Sequence, residues 1–501
     1  MQDTTTPTPL IIGFDGTELD KDLESFLREI NPVGIILFRR NILSPLQTQN
    51  LIQDIQRLLG NIIISIDHEG GMVNRFPAEF PSIPSAAALG KTNSRKLLDD
   101  AAHIQAETLR YFGFNLNFAP VADLATNSEN PVIATRSFGN DPDQVSSFIE
   151  TLVRFHQDHG IGATIKHFPG HGESTFDTHF TAGSISTPLE LLRKRELIPF
   201  IRGIQSGVAA TMIAHLRYLE LDPHNIATFS HRIITELLRN ELQFNGLVVT
   251  DCIEMEGTGK DLSPEEISYK ALQAGADCVI SSYSLKKSRD FQRRLKDGIE
   301  LYKEESEITR KDFHSKLQRI NSFLQHFPAK TILQAKPSEE KARELALRCI
   351  DFNKWTSLPV SWQKYLLVEI MDTAKSGILE GEAVTHVGKV LSTCKNIHYF
   401  RSLHLSEFDY LIPVIDKANQ AGQTVLLITV NAYRMNGFSN LSSLLEKATH
   451  SIHIALASDK DCSGSTENEW ITRGFNAYTA FALYDLFSST EYLSSAQPPV
   501  R

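Results

Sequence analysis

The run Gly162-Ala163-Thr164-Ile165-Lys166-His167-Phe168-Pro169-Gly170-His171-Gly172 changes character at its middle. Gly162–Lys166 is apolar enough to be a buried strand. Beyond it a proline and two glycines oppose a helix, so the chain enters a loop. Lys166, His167 and His171 gather there, and Asp177-Thr178-His179 follow closely. Polar groups on a loop anchored by a rigid strand are a common arrangement for chemistry. The pattern decides the fold because it repeats.

Between residues 10 and 283, short runs rich in Ile and Val alternate with stretches of helical apolar spacing. The runs are Leu10–Asp15, Val33–Phe38, Ile62–Asp67, Asn115–Val121, Gly162–Lys166, Ala209–Ala214, Gly246–Asp251 and Ala276–Ser281. Helices are expected over Asp22–Ile30, Pro45–Leu59, Arg95–Phe112, Val145–His159, Leu189–Gln205, His231–Leu242 and Pro264–Ala274. Apolar strands, each followed by a helix, imply a parallel sheet covered by helices. Eight such units predict an α/β fold, a (β/α)8 TIM-like barrel. A doubly wound open sheet competes, but its glycine-rich dinucleotide fingerprint is missing.

A barrel carries its functional groups at the C-terminal ends of its strands. Those ends hold Asp15, Asp67 with Glu69, Asp123, Lys166 with His167, His215 and Asp251, whereas the opposite ends hold mostly glycine, proline and asparagine. Packing alone does not segregate polar groups in this way.

Two further helices, near 288–306 and 309–327, complete a barrel domain over residues 1–330. Polar residues 331–345 form a linker. Residues 346–501 are expected to form a smaller α/β domain with a partly parallel sheet built on Tyr365–Ile370, Thr424–Val430 and Ser451–Ala457. Its helices are placed near 406–421, 440–449 and 476–487. No convergent acids, bases or nucleophiles mark this region, so its expected role is packing or substrate access.

The 501 residues allow more than one domain, and 41% hydrophobic with 22% charged content is ordinary for a globular protein. A net charge of -10 argues against a nucleic-acid partner. No apolar run nears the ~20 residues of a membrane span. Met1-Gln2-Asp3-Thr4 lacks the basic start of a signal peptide. A cytoplasmic protein without a membrane partner is therefore expected. Cys252, Cys278, Cys349, Cys394 and Cys462 are scattered without a CxxC pair, which suggests neither a zinc site nor disulfides.

Asp251 closes the apolar run Leu247-Val248-Val249-Thr250. A carboxylate there is costly unless it meets solvent, a partner or a ligand. It would serve equally well as a helix N-cap. Asp177 and His179, two residues apart, share one side of an extended loop. A carboxylate beside an imidazole fixes its tautomer and favours the charged form, which makes a general acid that can return as a base. A surface salt bridge is the plainer alternative. In Asp67-His68-Glu69-Gly70-Gly71-Met72-Val73-Asn74-Arg75 the carboxylates suit sugar hydroxyls, or they close a turn by pairing with Arg75. Arg136 is either a second grip or a loop salt bridge, and His215 suits the site or the core edge. His167, His171, His179 and Asp177 compose a donor set that zinc accepts. Their spacing fits no standard helix motif, so no metal is expected.

In this order, Asp67-His68-Glu69-Gly70-Gly71, Arg136-Ser137-Phe138-Gly139, Lys166–Gly172, Asp177-Thr178-His179, Met212-Ile213-Ala214-His215 and Thr250-Asp251 resemble glycoside hydrolase family 3. Within it they are most similar to the NagZ-type β-N-acetylglucosaminidase branch, and the resemblance covers roughly residues 10–330. It implies that Asp251 is the nucleophile and His179 the acid/base, with Asp177 as its partner. It implies that Asp67, Arg136, Lys166 and His167 hold the non-reducing N-acetylglucosamine. The implied activity is that of a retaining exo-β-N-acetylglucosaminidase. It would act without cofactor or metal on peptidoglycan-derived muropeptides or chitooligosaccharides. A β-N-acetylglucosaminide phosphorylase or a β-glucosidase of the same family is the alternative. Many β-glucosidases of the family lack the Asp-x-His loop, so Asp177 and His179 favour the hexosaminidase branch. His68, Met72 and Cys252-Ile253 stand where Gln, Arg and Asp-Leu are common in the family, which leaves fine specificity open.

Overall fold

The computed structural model describes residues 6–77, 80–127, 130, 132–174, 183–258, 261–282, 289–329 and 336–354. Beyond these it describes 365–371, 391, 397–403, 415–416, 419–420, 424–430, 451–455, 468–472, 479–480 and 482–483. Eight short strands close into a barrel: β1 (Thr8–Ile12), β2 (Pro32–Leu37), β3 (Ile63–Ile66), β4 (Leu116–Asn117), β5 (Gly162–Phe168), β6 (Ala210–Ile213), β7 (Leu247–Cys252) and β8 (Cys278–Ser281). They follow chain order round the ring, and β8 returns to β1 in parallel through the Leu10 and Val279 register. This is the (β/α)8 barrel expected from the alternation.

Local chemistry sets the helix starts. Ser44 accepts from the Gln47 N–H with Pro45 in the first turn, and Ser263 and Glu266 form a reciprocal capping box ahead of Pro264–Ala274. The helix expected over Leu189–Gln205 breaks into Leu189–Lys194 and Leu197–Gln205. Pro199 has no N–H to offer the Arg195 carbonyl, so the helical ladder is interrupted there. The segment Arg232–Glu241 winds as a π-helix. β5 runs two residues beyond the expected Gly162–Lys166, to Phe168, which pairs with Ile213, so His167 also lies within the strand. β4 is shorter than expected because Pro120 cannot donate to the ladder, although Val121 regains a bridge to Lys166.

Ile11, Val33, Ile63, Leu116, Met212, Val249 and Ile280 fill the barrel. The helix Glu307–His326 adds Ile320, Phe323 and Leu324 to the same cluster. Asn61 and Asn115, which precede β3 and β4, donate to the carbonyls of Leu324 and Phe327 at 3.2 and 2.9 Å. This helix therefore plugs the N-terminal mouth and leaves the opposite end for the site. Phe323→Ala is expected to destabilise the barrel by about 3–5 kcal/mol through the cavity it leaves. Chemical denaturation followed on the barrel transition checks this, and an unchanged midpoint would contradict the plug.

The chain forms two compact units. One comprises Met1–Glu69, Arg75–Pro77 and Ala102–Pro337; the other comprises Gly70–Asn74, Ala78–Ala101 and Ser338–Arg501. The second contains a six-stranded sheet of β9 (Asp351–Lys354), β10 (Tyr365–Met371), β11 (Ile397–Leu403), β12 (Thr424–Val430), β13 (Ser451–Ala455) and β14 (Asn468–Ile471). Their order is β9-β14-β13-β12-β10-β11, parallel except for the β9 and β14 pair. The strands legible in the sequence are the inner β10, β12 and β13. β9 and β11 are edge strands, which carry polar residues and so lack a clear apolar run. The helices expected near 406–421, 440–449 and 476–487 fall largely outside the described residues.

Candidate active site

The C-terminal ends of β3, β5 and β7 converge with the loops that follow β3 and β4. Lys166, only 2% exposed, donates through Nζ to Asp67 Oδ1 at 2.7 Å and lies 2.6 Å from Glu69 Oε1. Arg136 grips both oxygens of Glu69 at 2.8 Å. His167 places Nδ1 2.7 Å from Asp123 Oδ2 and Nε2 3.9 Å from Asp251 Oδ2. Four expected sugar-holding residues, Asp67, Arg136, Lys166 and His167, thus stand together with Asp251. Asp177 and His179 lie outside the described residues.

The charges are mutually adjusted. Burial by itself would raise the Asp251 carboxyl, but His167, His215, the Cys252 N–H and Lys166 outweigh it and hold the group at about 2. Its side chain is 22% exposed, so an ionised oxygen faces the barrel mouth. The N-cap alternative is not realised: Asp251 Oδ1 accepts from the adjacent Cys252 N–H at 2.7 Å, while Ser263 caps the following helix. Burial likewise opposes ionisation of Glu69, but Arg136 and Lys166 keep it well below the usual carboxylate range. Lys166 is raised despite its burial because Asp67 and Glu69 flank it. Burial, then Glu254, pushes the Cys252 thiol up, so beside Asp251 it stays a neutral group against Ser282 Oγ at 2.8 Å.

His215 is settled as a satisfied histidine. Its Nε2 donates to the Cys252 carbonyl at 3.0 Å, and its Nδ1 lies 2.6 Å from Thr228 Oγ1. It therefore steadies the backbone that carries Asp251. His171 serves the loop root: its backbone N–H donates to Asp123 Oδ1 at 2.7 Å. Asn130 donates to the carbonyls of His171 and Gly172, and Tyr218 Oη to that of Gly170. Gly172 packs so closely on the Leu124 carbonyl that a Cβ there would lie 1.9 Å from its oxygen. Any side chain would displace the root of the loop that leads to Asp177 and His179.

For two residues named in the sequence reading, only the structure gives the surroundings. Asp123 was visible as a strand-end acid, but nothing local told which histidine it holds. The alternative reading had Arg75 close a turn with Asp67 or Glu69. Glu69 is instead taken by Arg136 and Lys166, and Arg75, 7% exposed, has no ion pair among the described residues. Among the described residues its Nε has no hydrogen-bond partner, and its guanidinium lies 5.6 Å from the Phe38 ring. Among the described residues no group of three or more His, Cys, Asp or Glu is placed to hold a metal ion. No helix among them is long and apolar enough to cross a membrane.

Three buried histidines, His68, His156 and His171, should make the fold acid-sensitive. Burial first, then His156 and Arg75, holds His68 at about 3 against an ordinary 6.5. Burial holds His156 at about 4, and burial with His167 holds His171 at about 4. Folded values below the unfolded one mean that the unfolded chain binds more protons below pH 6.5. Stability should be full above about pH 6.5 and fall towards pH 4, by on the order of 2–3 kcal/mol per histidine. Thermal melts across that range check the direction, and a rising Tm on acidification would contradict it.

Residues 11–323 match the glycosyl hydrolase family 3 N terminal domain. The chain is 36% identical over 278 residues to a beta-hexosaminidase of Xanthomonas campestris pv. campestris (strain B100), covering 54% of this chain and 83% of that protein. It is 36% identical over 278 residues to a beta-hexosaminidase of Stenotrophomonas maltophilia (strain R551-3), covering 54% and 82%. A solved family 3 beta-N-acetylglucosaminidase from Paenibacillus sp. str. FPU-7 is similar at TM-score 0.84 and 27% identity, covering 96% of this chain and 95% of that one. NagZ from Neisseria gonorrhoeae, solved with N-trifluoroacetyl-D-glucosamine, is similar at TM-score 0.58 and 26% identity over 68% and 98%. A parallel barrel with these groups at its strand ends, among these relatives, is a glycoside hydrolase. The chain belongs to glycoside hydrolase family 3.

Proposed function

We propose that the protein is a retaining exo-β-N-acetylglucosaminidase. The observation that carries this reading is an ionised, partly exposed Asp251 beside an array of Asp67, Glu69, Arg136 and the buried Lys166 and His167. Such an array offers donors and acceptors to sugar hydroxyls on one face and a nucleophile to the anomeric carbon on the other. The names of the similar proteins support an N-acetylhexosamine as the sugar.

In the proposed first step, Asp251 Oδ2 attacks the anomeric carbon while His179, backed by Asp177, protonates the leaving oxygen. A covalent glycosyl-enzyme forms through an oxocarbenium-like transition state. In the second step His179 takes a proton from water, whose oxygen displaces Asp251 and leaves the sugar in the β configuration. No cofactor takes part. GlcNAc-containing muropeptides released from peptidoglycan, or chitooligosaccharides, are the proposed substrates, met in the cytoplasm.

The test is hydrolysis of an aryl β-N-acetylglucosaminide against the matching aryl β-glucoside by wild type, Asp251→Asn and His179→Ala. Preference for the N-acetylated sugar, release of the β anomer and loss in both variants are expected. Sugar 1-phosphate formed in phosphate buffer would reassign the enzyme as a phosphorylase. Undiminished turnover in both variants would refute the assignment.

A further inference from the structure

His167 is faced by charged or titratable groups from four elements. Asp123, from the loop after β4, meets Nδ1 at 2.7 Å. Arg136 Nη2 lies 3.4 Å from Nε2, and Asp251 Oδ2 lies 3.9 Å from it. The His171 ring stands edge-on with its centroid 5.6 Å away. Asp123 is the one fully enclosed member, with 0% exposure. Its Oδ2 also accepts the His167 backbone N–H at 3.1 Å, and its Oδ1 accepts that of His171 at 2.7 Å.

Both carboxylate oxygens are thus committed to backbone donors, so Asp123 is held as an acceptor on both sides. The contact with Nδ1 therefore requires the hydrogen to be on that nitrogen. An amide in its place would turn its NH2 onto a backbone N–H in either orientation. The other ring nitrogen is not so committed. Arg136 can only donate to Nε2, whereas ionised Asp251 can only accept from it. We propose that Asp123 is the positioning residue of this site: it pins a proton on Nδ1 of His167, which makes Nε2 the atom offered to Asp251 and to substrate. Its effect on turnover rests on the function proposed above; the tautomer does not.

The direct test is 15N NMR of histidine-labelled full-length protein, with the His167 signals identified by their loss in His167→Gln. Nδ1 should carry the hydrogen at every pH at which the neutral ring is observed. A bare Nδ1 with the proton on Nε2 would overturn the proposal. Asp123→Asn should lower kcat/KM for the aryl β-N-acetylglucosaminide roughly 100-fold. The double variant Asp123→Asn/His167→Gln should be no worse than His167→Gln alone, since the two residues act as one unit. Additive losses would reduce Asp123 to packing and overturn the proposal. If Asp123→Asn does not fold, the wild-type spectrum decides. A wild type that fails to cleave the substrate would sink the proposed function, while the spectrum would still judge the tautomer.

Discussion

Asp251→Asn is expected to lower kcat on an aryl β-N-acetylglucosaminide by about 10⁴-fold while the fold is retained. The substitution exchanges one oxygen for an NH2. The amide keeps an oxygen for the Cys252 N–H, whose bond to Oδ1 is 2.7 Å. What it loses is charge. Asp251 is held at about 2 by neighbours that outweigh its burial, so near neutral pH the wild type presents a full carboxylate. An amide cannot form the glycosyl-enzyme, and it leaves His167 facing a donor across the 3.9 Å gap. Circular dichroism and a thermal melt should match wild type. A kcat within about tenfold of wild type would leave Asp251 without the nucleophilic role.

Lys166→Met should cost both stability and activity. The side chain is almost fully enclosed and touches two carboxylates, Asp67 and Glu69. Methionine fills much of the volume, so packing changes little and the effect is electrostatic. Removing one partner from a buried ionic cluster typically costs about 3–5 kcal/mol, because the remaining charges lose their compensation. Arg136 still holds Glu69 through two 2.8 Å bonds, which places the expected loss at the lower end. kcat/KM should fall roughly 10²- to 10³-fold as the proposed sugar-holding array loses its central donor. Salt should not rescue the variant, since buried pairs are poorly screened. Lys166→Arg is no conservative repair, for a planar fork does not replace a compact ammonium between two carboxylates. A variant with wild-type Tm and KM would show that the cluster is dispensable.

The barrel was legible because its strands are buried on both faces and therefore read as unbroken apolar runs, each followed by a helix. The errors fall where another rule intervened. Pro120 shortened β4, Pro199 split a helix, and the polar edge strands of the second sheet gave no apolar signal. The strand-end pattern singled out Asp67, Lys166, His167 and Asp251. It did not show that Glu69 turns to Arg136 and Lys166 rather than to Arg75.

Residue types and their places on the strands were thus set by the sequence alone: carboxylates, an ammonium and imidazoles at one end of eight parallel strands. Pairing was decided only by the tertiary structure. Lys166 reaches Asp67 across 99 residues of chain, and Asp123 meets His167 across 44. Closure of the barrel brings those strand ends within hydrogen-bond distance, and burial there removes the water that would otherwise satisfy each charge separately. In that setting each group must find a partner or a ligand, and which partner it finds is a matter of ångströms that no local pattern encodes.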